Sequence, residues 1–153
     1  MFKILFNIIE KIGICKHVDL IIPYIYLGNF NISQDSQFLK ENNIKLIVNC
    51  SRNIPFIENL ECENIRIPID DNRVFKNKDI LEYLYILEKI HKFRENKKNI
   101  LIHCRAGSQR SANIILLYLT KILHIDFDTS YNLIKQKRPI CFTPSNSFSH
   151  IYN

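Results

Sequence analysis

Residues 101–119, LIHCRAGSQRSANIILLYL, place a histidine, a cysteine, a glycine and an arginine between two apolar runs. The first run has the length of a buried strand, and the second has the length of a helix. A loop between a strand and a helix brings backbone N–H groups together, and the helix dipole adds positive potential there. We therefore predict that an anion binds to the loop, which consists of Arg105, Ala106, Gly107, Ser108, Gln109 and Arg110. Gly107 allows a tight turn that a side chain would obstruct.

Cys104 and Arg110 indicate which anion this loop binds. A thiol beside a helix N-terminus and a cation is ionised at neutral pH, so we expect Cys104 to be a nucleophile. The planar guanidinium of Arg110 matches two oxygens of a phosphate group. The pattern predicts that the thiolate attacks phosphorus and forms a phosphocysteine. The loop amides and Arg110 then stabilise the equatorial oxygens.

His103 and Ser111 lie on either side of these two residues and have supporting roles in this interpretation. We expect His103 to hold the loop and the thiolate through hydrogen bonds. We expect the Ser111 hydroxyl to donate to the sulfur, which makes the sulfur a better leaving group in the second step. Each residue is also an ordinary polar residue at the end of a strand or helix, so these roles depend on the whole motif.

The apolar pattern predicts the elements that position this loop. Short apolar runs at 44–50 and 99–103 are typical of buried parallel strands. We predict two further strands over 20–27 and 61–69, the first at an edge or irregular because it contains Pro23. Helical spacing of apolar residues predicts helices over 33–40, 77–95, 110–124 and 128–137, with a last turn over 145–152. Strands that alternate with helices indicate an α/β fold with a central, mostly parallel sheet flanked by helices.

The first residues form a separate feature, because apolar side chains recur at helical spacing over 2–12. We predict an N-terminal amphipathic helical arm over 1–17 and a single catalytic domain over 18–153. So broad an apolar face must be buried, either on the chain's own domain, on a second copy or on a membrane. The membrane is the weakest of the three, since the arm carries few positive charges.

Composition excludes several classes of site. The formal net charge of +6 suits phosphorylated proteins, nucleic acid or a membrane surface, and equally an ordinary basic surface. The five cysteines are scattered and form no C-x-x-C pair, so we expect no disulfide framework and no zinc site. They fit a reducing compartment. With no targeting signal or transmembrane segment predicted, we expect a cytoplasmic protein without a metal or other cofactor.

The motif from His103 to Ser111, H-C-x-x-G-x-x-R-S, resembles the signature of the cysteine-dependent protein tyrosine phosphatase superfamily. Segments over roughly residues 20–150 resemble the dual-specificity phosphatase domain: YIYLGNFNISQD, LKENNIKLIVNCS, IRIPIDDN and KRPICFTPSNSF. The chain is also similar to the small viral members, whose N-terminal helix takes part in dimerisation. Many members have serine where Gln109 stands, but every catalytic group of the motif is present.

This resemblance implies a compact protein tyrosine phosphatase-like fold, phosphoprotein substrates and a possible homodimer formed through the N-terminal helix. For a viral member, the cytoplasmic location means the host cytoplasm or the virion. The chain is too short for the loop that deepens the pocket of classical tyrosine-specific domains. The implied pocket is shallow and admits phosphoserine and phosphothreonine as well as phosphotyrosine.

The segment IRIPIDDN implies the general acid that protonates the leaving group. Its alignment with the family places the acid at Asp71, and a shift of one residue selects Asp70 instead.

Three other interpretations remain open. One is a phosphate-binding module without turnover, which the presence of Cys104 disfavours. Another is a phosphatase of RNA 5′ ends or phosphoinositides that uses the same thiolate; Arg105 is the single extra cation in the loop, whereas lipid-directed relatives carry lysines. The third is a scaffold with a vestigial loop. We expect no stable nucleic-acid partner.

Overall fold

One sheet of five strands forms the centre of the computed structural model of this chain, which describes residues 16–70 and 77–152, without the side chains of 77–81 and 150. The strands are β1 (Val18–Ile22), β2 (Ile25–Gly28), β3 (Ile44–Asn49), β4 (Glu63–Arg66) and β5 (Asn99–His103). Their order is β1-β2-β5-β3-β4, and only the β1–β2 pair is antiparallel. This confirms the predicted α/β fold with a mostly parallel sheet. The predicted helix over 2–12 and the predicted acid Asp71 lie outside the described residues.

Helices cover both faces of the sheet. They are α1 (Phe30–Ser33), α2 (Ser36–Glu41), α3 (Asn77–Glu95), α4 (Arg110–Leu117) and α5 (Phe127–Lys137), followed by a 3-10 turn (Ser149–Tyr152). Side chains of a strand alternate between the two faces. In β5, Ile100 and Ile102 therefore pack in the core with α3, α4 and α5, whereas Leu101 packs in a smaller core with Leu39 of α2. All four side chains are buried, which fixes the register of the central strand.

The prediction of one strand over 20–27 is wrong. The segment forms a hairpin in which β1 and β2 pair antiparallel. Pro23 and Tyr24 form the turn, and Tyr24 has a positive φ of 73°. Proline presets the backbone for a turn but gives no donor to a strand, so it separates the two strands instead of lying in one.

Other boundaries also differ from the sequence-based expectation. The helix predicted over 33–40 corresponds to α2, which begins at Ser36 because the side chain of Asp35 caps it, and a separate short helix, α1, precedes it with Asn29 as its cap. The strand predicted over 61–69 is limited to β4 at the sheet edge. The helix predicted over 110–124 is α4, which continues as a π-helical turn (Tyr118–Ile122). No helix of the described residues has the length and apolarity that a membrane crossing needs.

The parallel strands bring the sequence motif to one edge of the sheet. In the register of β3 and β5, Asn49 lies opposite His103. The next residues, Cys50 and Cys104, therefore leave the sheet side by side, and the backbone N–H of Cys50 donates to the carbonyl of His103 at 2.8 Å. Loops at the carboxyl ends of parallel strands are the usual place for ligand sites in α/β proteins.

Candidate active site

Cys104 lies directly after β5, and its side chain is 2% exposed. Two donors point at its sulfur: the backbone N–H of Gly107 at 3.3 Å and the hydroxyl of Ser111 at 3.1 Å. Hydrogen bonds that end on a sulfur stabilise negative charge on it. The structure therefore brings Cys104 and Ser111 together in the arrangement that a nucleophilic thiolate needs.

The loop after Cys104 turns its carbonyl groups away from the sulfur. Each carbonyl accepts a hydrogen bond from the surrounding protein: Arg105 from Phe30 N (3.0 Å), Ala106 from Arg138 Nη2 (3.3 Å), Gly107 from Arg138 Nε (2.8 Å) and Ser108 from Phe142 N (2.9 Å). Because a trans peptide places its N–H opposite its C=O, the amides of these units point to the other side. The contact of Gly107 N with Cys104 shows that this side is the one with the sulfur. The loop is therefore a cradle of N–H donors.

Gly107 has the backbone that this cradle requires. Its φ is 65°, in the left-handed region that side chains disfavour. A Cβ at this position would lie 2.4 Å from the carbonyl oxygen of Gly28 and 3.1 Å from Nη2 of Arg138. Both the conformation and the lack of space explain why glycine stands here.

The N-terminus of α4 is left available to a ligand. Gln109 is the N-cap residue, but its side chain makes no capping hydrogen bond. It reaches instead to the C-terminal segment, donating to the carbonyl of Ser145 at 2.9 Å and accepting from the N–H of Ser147 at 3.0 Å. The first N–H groups of α4 thus keep their capacity to bind an anion, which the helix dipole favours.

Arg110, the first residue of α4, lines a cavity of about 170 Å³ beside the cradle. Its side chain is 8% exposed, and Nη1 donates to the carbonyl of Ile69 at 3.2 Å. The cavity is also lined by Ser51, Arg52, Asn53, Ile54, Asp70 and Arg105. Three arginines against the single carboxylate of Asp70 give the cavity a net positive charge, as a phosphate site requires. A larger cavity of about 470 Å³ lies between β4 and α3, but none of the predicted site residues lines it.

Of the two candidate acids, the structure describes Asp70. Its carboxylate forms an ion pair with Arg52 through two hydrogen bonds of 2.9 and 3.0 Å, and this pairing raises the pKa of Arg52. Both side chains are about half exposed, at 51% and 52%. Asp70 lines the cavity, whereas Asp71, the next residue in the sequence, lies outside the described residues. The assignment of the acid to Asp71 stays a prediction.

His103 is the last residue of β5, directly before the nucleophile, and it is buried. Burial lowers the pKa of its imidazole to about 4, and the charge of Arg66 also lowers it, while a hydrogen bond with the Cys104 backbone opposes them. The ring is therefore neutral at neutral pH and adds no positive charge beside the thiolate. Its Nδ1 has no hydrogen-bond partner among the described residues.

Comparison with known proteins identifies the family. The family model "Dual specificity phosphatase, catalytic domain" matches residues 25–152. The chain belongs to the dual specificity phosphatase family. It is 32% identical to mouse dual specificity protein phosphatase 8 over 78% of its length and 33% identical to mouse dual specificity protein phosphatase 2 over 84%. It spans only 18% and 39% of these two relatives. The crystal structure of human DUSP28 shares its fold, with a TM-score of 0.75 at 18% identity over 82% of this chain and 84% of that one.

Membership of the dual specificity phosphatase family confirms the resemblance that the motif predicted. The structure adds two residues to the site that the sequence did not reveal. Arg66 of β4 donates to the carbonyls of Ser51 and Ile54, both at 2.7 Å, and thereby holds a wall of the cavity. Arg138 holds the loop itself. In the sequence, both are arginines among many surface cations, and only their contacts distinguish them.

Proposed function

We propose that this dual specificity phosphatase domain hydrolyses phosphotyrosine, phosphoserine and phosphothreonine monoesters in proteins through a phosphocysteine intermediate. The observation that carries the proposal is the arrangement around Cys104. Two donors contact its sulfur, and the carbonyls of the following loop point away from it. A phosphate group held by the loop amides lies in reach of the sulfur, with Arg110 beside it.

In the first step, the Cys104 thiolate attacks phosphorus, the S–P bond forms and the bond to the leaving oxygen breaks. The general acid, which we assign to Asp71, transfers a proton to that oxygen, so the product leaves as a neutral alcohol or phenol. The loop amides and Arg110 stabilise the charge of the equatorial oxygens.

In the second step, water attacks the phosphocysteine. The Asp71 carboxylate takes the proton from the water, the S–P bond breaks and phosphate leaves. The hydrogen bond from Ser111, 3.1 Å from the sulfur, stabilises the departing thiolate. His103 is a neutral residue in this mechanism, and its carbonyl accepts a hydrogen bond from Cys50 N, which ties the end of β5, where the loop begins, to the end of β3.

The proposed breadth of substrate follows from the cavity. At about 170 Å³, with Ser51 and Asn53 in its wall, the cavity is smaller than an ordinary small-molecule pocket. A pocket of this size does not select the long phosphotyrosine side chain over phosphoserine or phosphothreonine. Phosphopeptides that differ only in the phosphorylated residue test this, and 5′-phosphorylated RNA and phosphoinositide assayed in parallel test the other substrate classes.

The decisive experiment uses Cys104→Ser and Arg110→Ala, with Cys62→Ser as the control. We expect Cys104→Ser to lose hydrolysis of p-nitrophenyl phosphate and to keep binding of inorganic phosphate, whereas Arg110→Ala loses both. Cys62 belongs to the core on the opposite face of the sheet, so its variant keeps both. Burst-phase turnover by Cys104→Ser rules out the covalent mechanism. Activity that disappears with a chelator contradicts the metal-free chemistry.

We also propose that the chain consists of an arm over 1–17 and a catalytic domain over 18–153, and that a cytoplasmic homodimer forms through the arm. The apolar spacing over 2–12 supports this. The last two arm residues contact the domain, since Arg138 Nη1 donates to the carbonyl of Lys16 at 2.7 Å and Asn29 N donates to that of His17 at 3.0 Å. Light scattering on the full chain and on a chain without residues 1–15 tests the dimer, and a full-length monomer contradicts it. Fractionation of cells that express the tagged chain tests the location.

A further inference from the structure

Arg138, directly after α5, is among the largest fully buried residues of the described chain, and only 2% of its side chain is exposed. Its guanidinium makes four contacts: Nε to the carbonyl of Gly107 (2.8 Å), Nη2 to that of Ala106 (3.3 Å), and Nη1 to that of Lys16 (2.7 Å) and to Oδ2 of Asp19 (2.8 Å). One buried cation thus joins the phosphate loop to the start of β1.

A buried cation is costly unless it is paired and hydrogen-bonded. Asp19 supplies the opposite charge and three carbonyls supply the remaining acceptors. Only the planar guanidinium has donors spaced to reach two successive carbonyls and a carboxylate at once. A lysine ammonium is a single point and cannot make this set of contacts.

The two loop contacts of Arg138 determine how the cradle is oriented. The peptide planes that carry the carbonyls of Ala106 and Gly107 also carry the N–H groups of Gly107 and Ser108. With the carbonyls held toward Arg138, these N–H groups turn to the opposite side. The Gly107 N–H is the one that contacts Cys104.

We propose that Arg138 is a positioning residue for phosphate binding and phosphoryl transfer. By holding the carbonyls of Ala106 and Gly107, it directs the N–H groups of Gly107 and Ser108 at the phosphate oxygens. The proposal rests on the function proposed above. The alternative is a purely structural ion pair, in which Asp19 and Arg138 matter equally.

Variants of Arg138 and of Asp19 distinguish a positioning role for Arg138 from a purely structural ion pair. Arg138→Lys and Arg138→Met remove contacts to the loop carbonyls. Asp19→Asn removes the compensating charge but leaves the guanidinium, and with it both loop contacts, in place. Its amide oxygen still accepts a hydrogen bond. All three variants lose thermal stability, so each is assayed well below its own unfolding midpoint.

For the Arg138 variants we expect kcat/KM on p-nitrophenyl phosphate to fall about 10- to 100-fold, somewhat less than the loss of one direct oxyanion donor. We expect their affinity for inorganic phosphate to fall in parallel. For Asp19→Asn we expect both quantities to stay within about twofold of wild type, since the donors are unmoved. Arg138→Lys serves as the informative variant where Arg138→Met does not fold.

Arg138 variants that lose stability but keep kcat/KM and phosphate affinity overturn the proposal. So does an Asp19→Asn variant that loses as much of both as Arg138→Lys does. If the wild-type domain binds phosphate without turnover, the proposed function fails, but the phosphate affinities of the variants still decide the role of Arg138. A wild-type domain that does not bind phosphate overturns both.

Discussion

Arg52 holds Asp70 through two parallel hydrogen bonds, Nε to Oδ1 at 2.9 Å and Nη2 to Oδ2 at 3.0 Å. Both oxygens of this carboxylate accept hydrogen bonds from the guanidinium, which favours a structural role for Asp70 over the role of proton donor. Because the pair is half exposed, it contributes little to stability. The ion pair instead holds Asp70, the residue directly before Asp71 in the sequence, at the edge of the cavity.

We therefore predict that Asp71→Asn lowers kcat on a phosphoserine peptide by about 100-fold or more, the usual contribution of a general acid. The fall in rate toward higher pH, where the acid loses its proton, disappears as well. p-Nitrophenyl phosphate suffers less, because its leaving group needs little protonation. Steady-state kinetics across pH on both substrates measure these effects.

Asp70→Asn is the matched variant one residue away, and we expect it to change kcat only a few-fold, within the range of an exposed ion pair. Arg52→Gln breaks the same pair from the other side and has the same small effect. A larger loss in Asp70→Asn than in Asp71→Asn exchanges the roles of the two carboxylates.

His103 makes the stability of the domain depend on pH. Burial lowers the pKa of this imidazole from 6.5 to about 4. Between these values the unfolded chain binds a proton that the folded chain does not. The stabilisation is thus complete above about pH 6.5 and is lost as the pH falls toward 4, by about 3 kcal/mol in all.

Chemical denaturation at several pH values between 4 and 6.5 gives the slope of the unfolding free energy against pH. We expect His103→Gln to reduce this slope by up to about 1.4 kcal/mol per pH unit. His124→Asn is the control, because asparagine tolerates the positive φ of 54° at that site. This variant removes one histidine without touching His103 and supplies the reference slope. A His103→Gln variant with the wild-type slope shows that the buried imidazole does not couple to folding.

Gly107→Ala tests the cradle by steric means. The new Cβ meets the carbonyl oxygen of Gly28 at 2.4 Å in a backbone with a φ of 65°, so one of the two segments must move. We expect kcat/KM to fall about 100-fold or more, as for the loss of an oxyanion donor. Ser108→Ala changes the neighbouring side chain and keeps the backbone, so it stays close to wild type. Equal activity in the two variants would mean that the loop tolerates a different backbone.

The sequence predicts those strands, helices and motifs that a short stretch of consecutive residues is enough to define. β3, α3 and β5 lie where the apolar patterns place them, because each buries a face that a short window of residues defines. The phosphate loop is recognisable for the same reason, since Cys104 and Arg110 are six positions apart. The prediction misses the hairpin of β1 and β2 although Pro23 marks its turn, because the residues on both sides of Pro23 are apolar and fit one irregular strand equally well.

Contacts between distant parts of the chain are not encoded locally. Arg138 lies 31 residues from Gly107 and 119 from Asp19, so no window of sequence connects them. The reciprocal hydrogen bonds of Asn113 and Asn146, at 2.9 and 3.0 Å, tie α4 to the C-terminal segment in the same way. Such side chains resemble surface residues until the fold brings their partners to them.

Cys50 and Cys104 each follow the last residue of one of two paired strands, which makes Cys50 a candidate for a second redox-active thiol. Asn49 and His103 are in register, and the two cysteines come next. Neighbouring strands lie about 4.8 Å apart, within the Cα separations that a disulfide spans. Burial raises the pKa of the Cys50 thiol, and negative charge on Cys104 raises it further, so Cys50 is a thiol at neutral pH.

Mild peroxide should therefore inactivate the enzyme reversibly. One oxygen of the peroxide is transferred to the Cys104 thiolate, which becomes the sulfenic acid, and the other oxygen of the peroxide leaves as hydroxide. The sulfur of Cys50 then attacks that of Cys104, and the hydroxyl leaves with the Cys50 proton as water, which forms the disulfide. Mass spectrometry finds a Cys50–Cys104 peptide lighter by two hydrogens, and a thiol reductant restores activity.

Variants of the neighbouring cysteines decide which thiol takes part. In Cys50→Ser the sulfenic acid has no partner, so continued peroxide carries it to the irreversible sulfinic acid and reductant no longer restores activity. Cys141 is the matched control: its sulfur lies 3.8 Å from the carbonyl oxygen of Gly107, and burial raises its pKa to about 12. We expect Cys141→Ser to recover as the wild type does. If activity recovers in Cys50→Ser but not in Cys141→Ser, the disulfide forms with Cys141 instead. If the activity of the wild type does not recover, no protective disulfide forms.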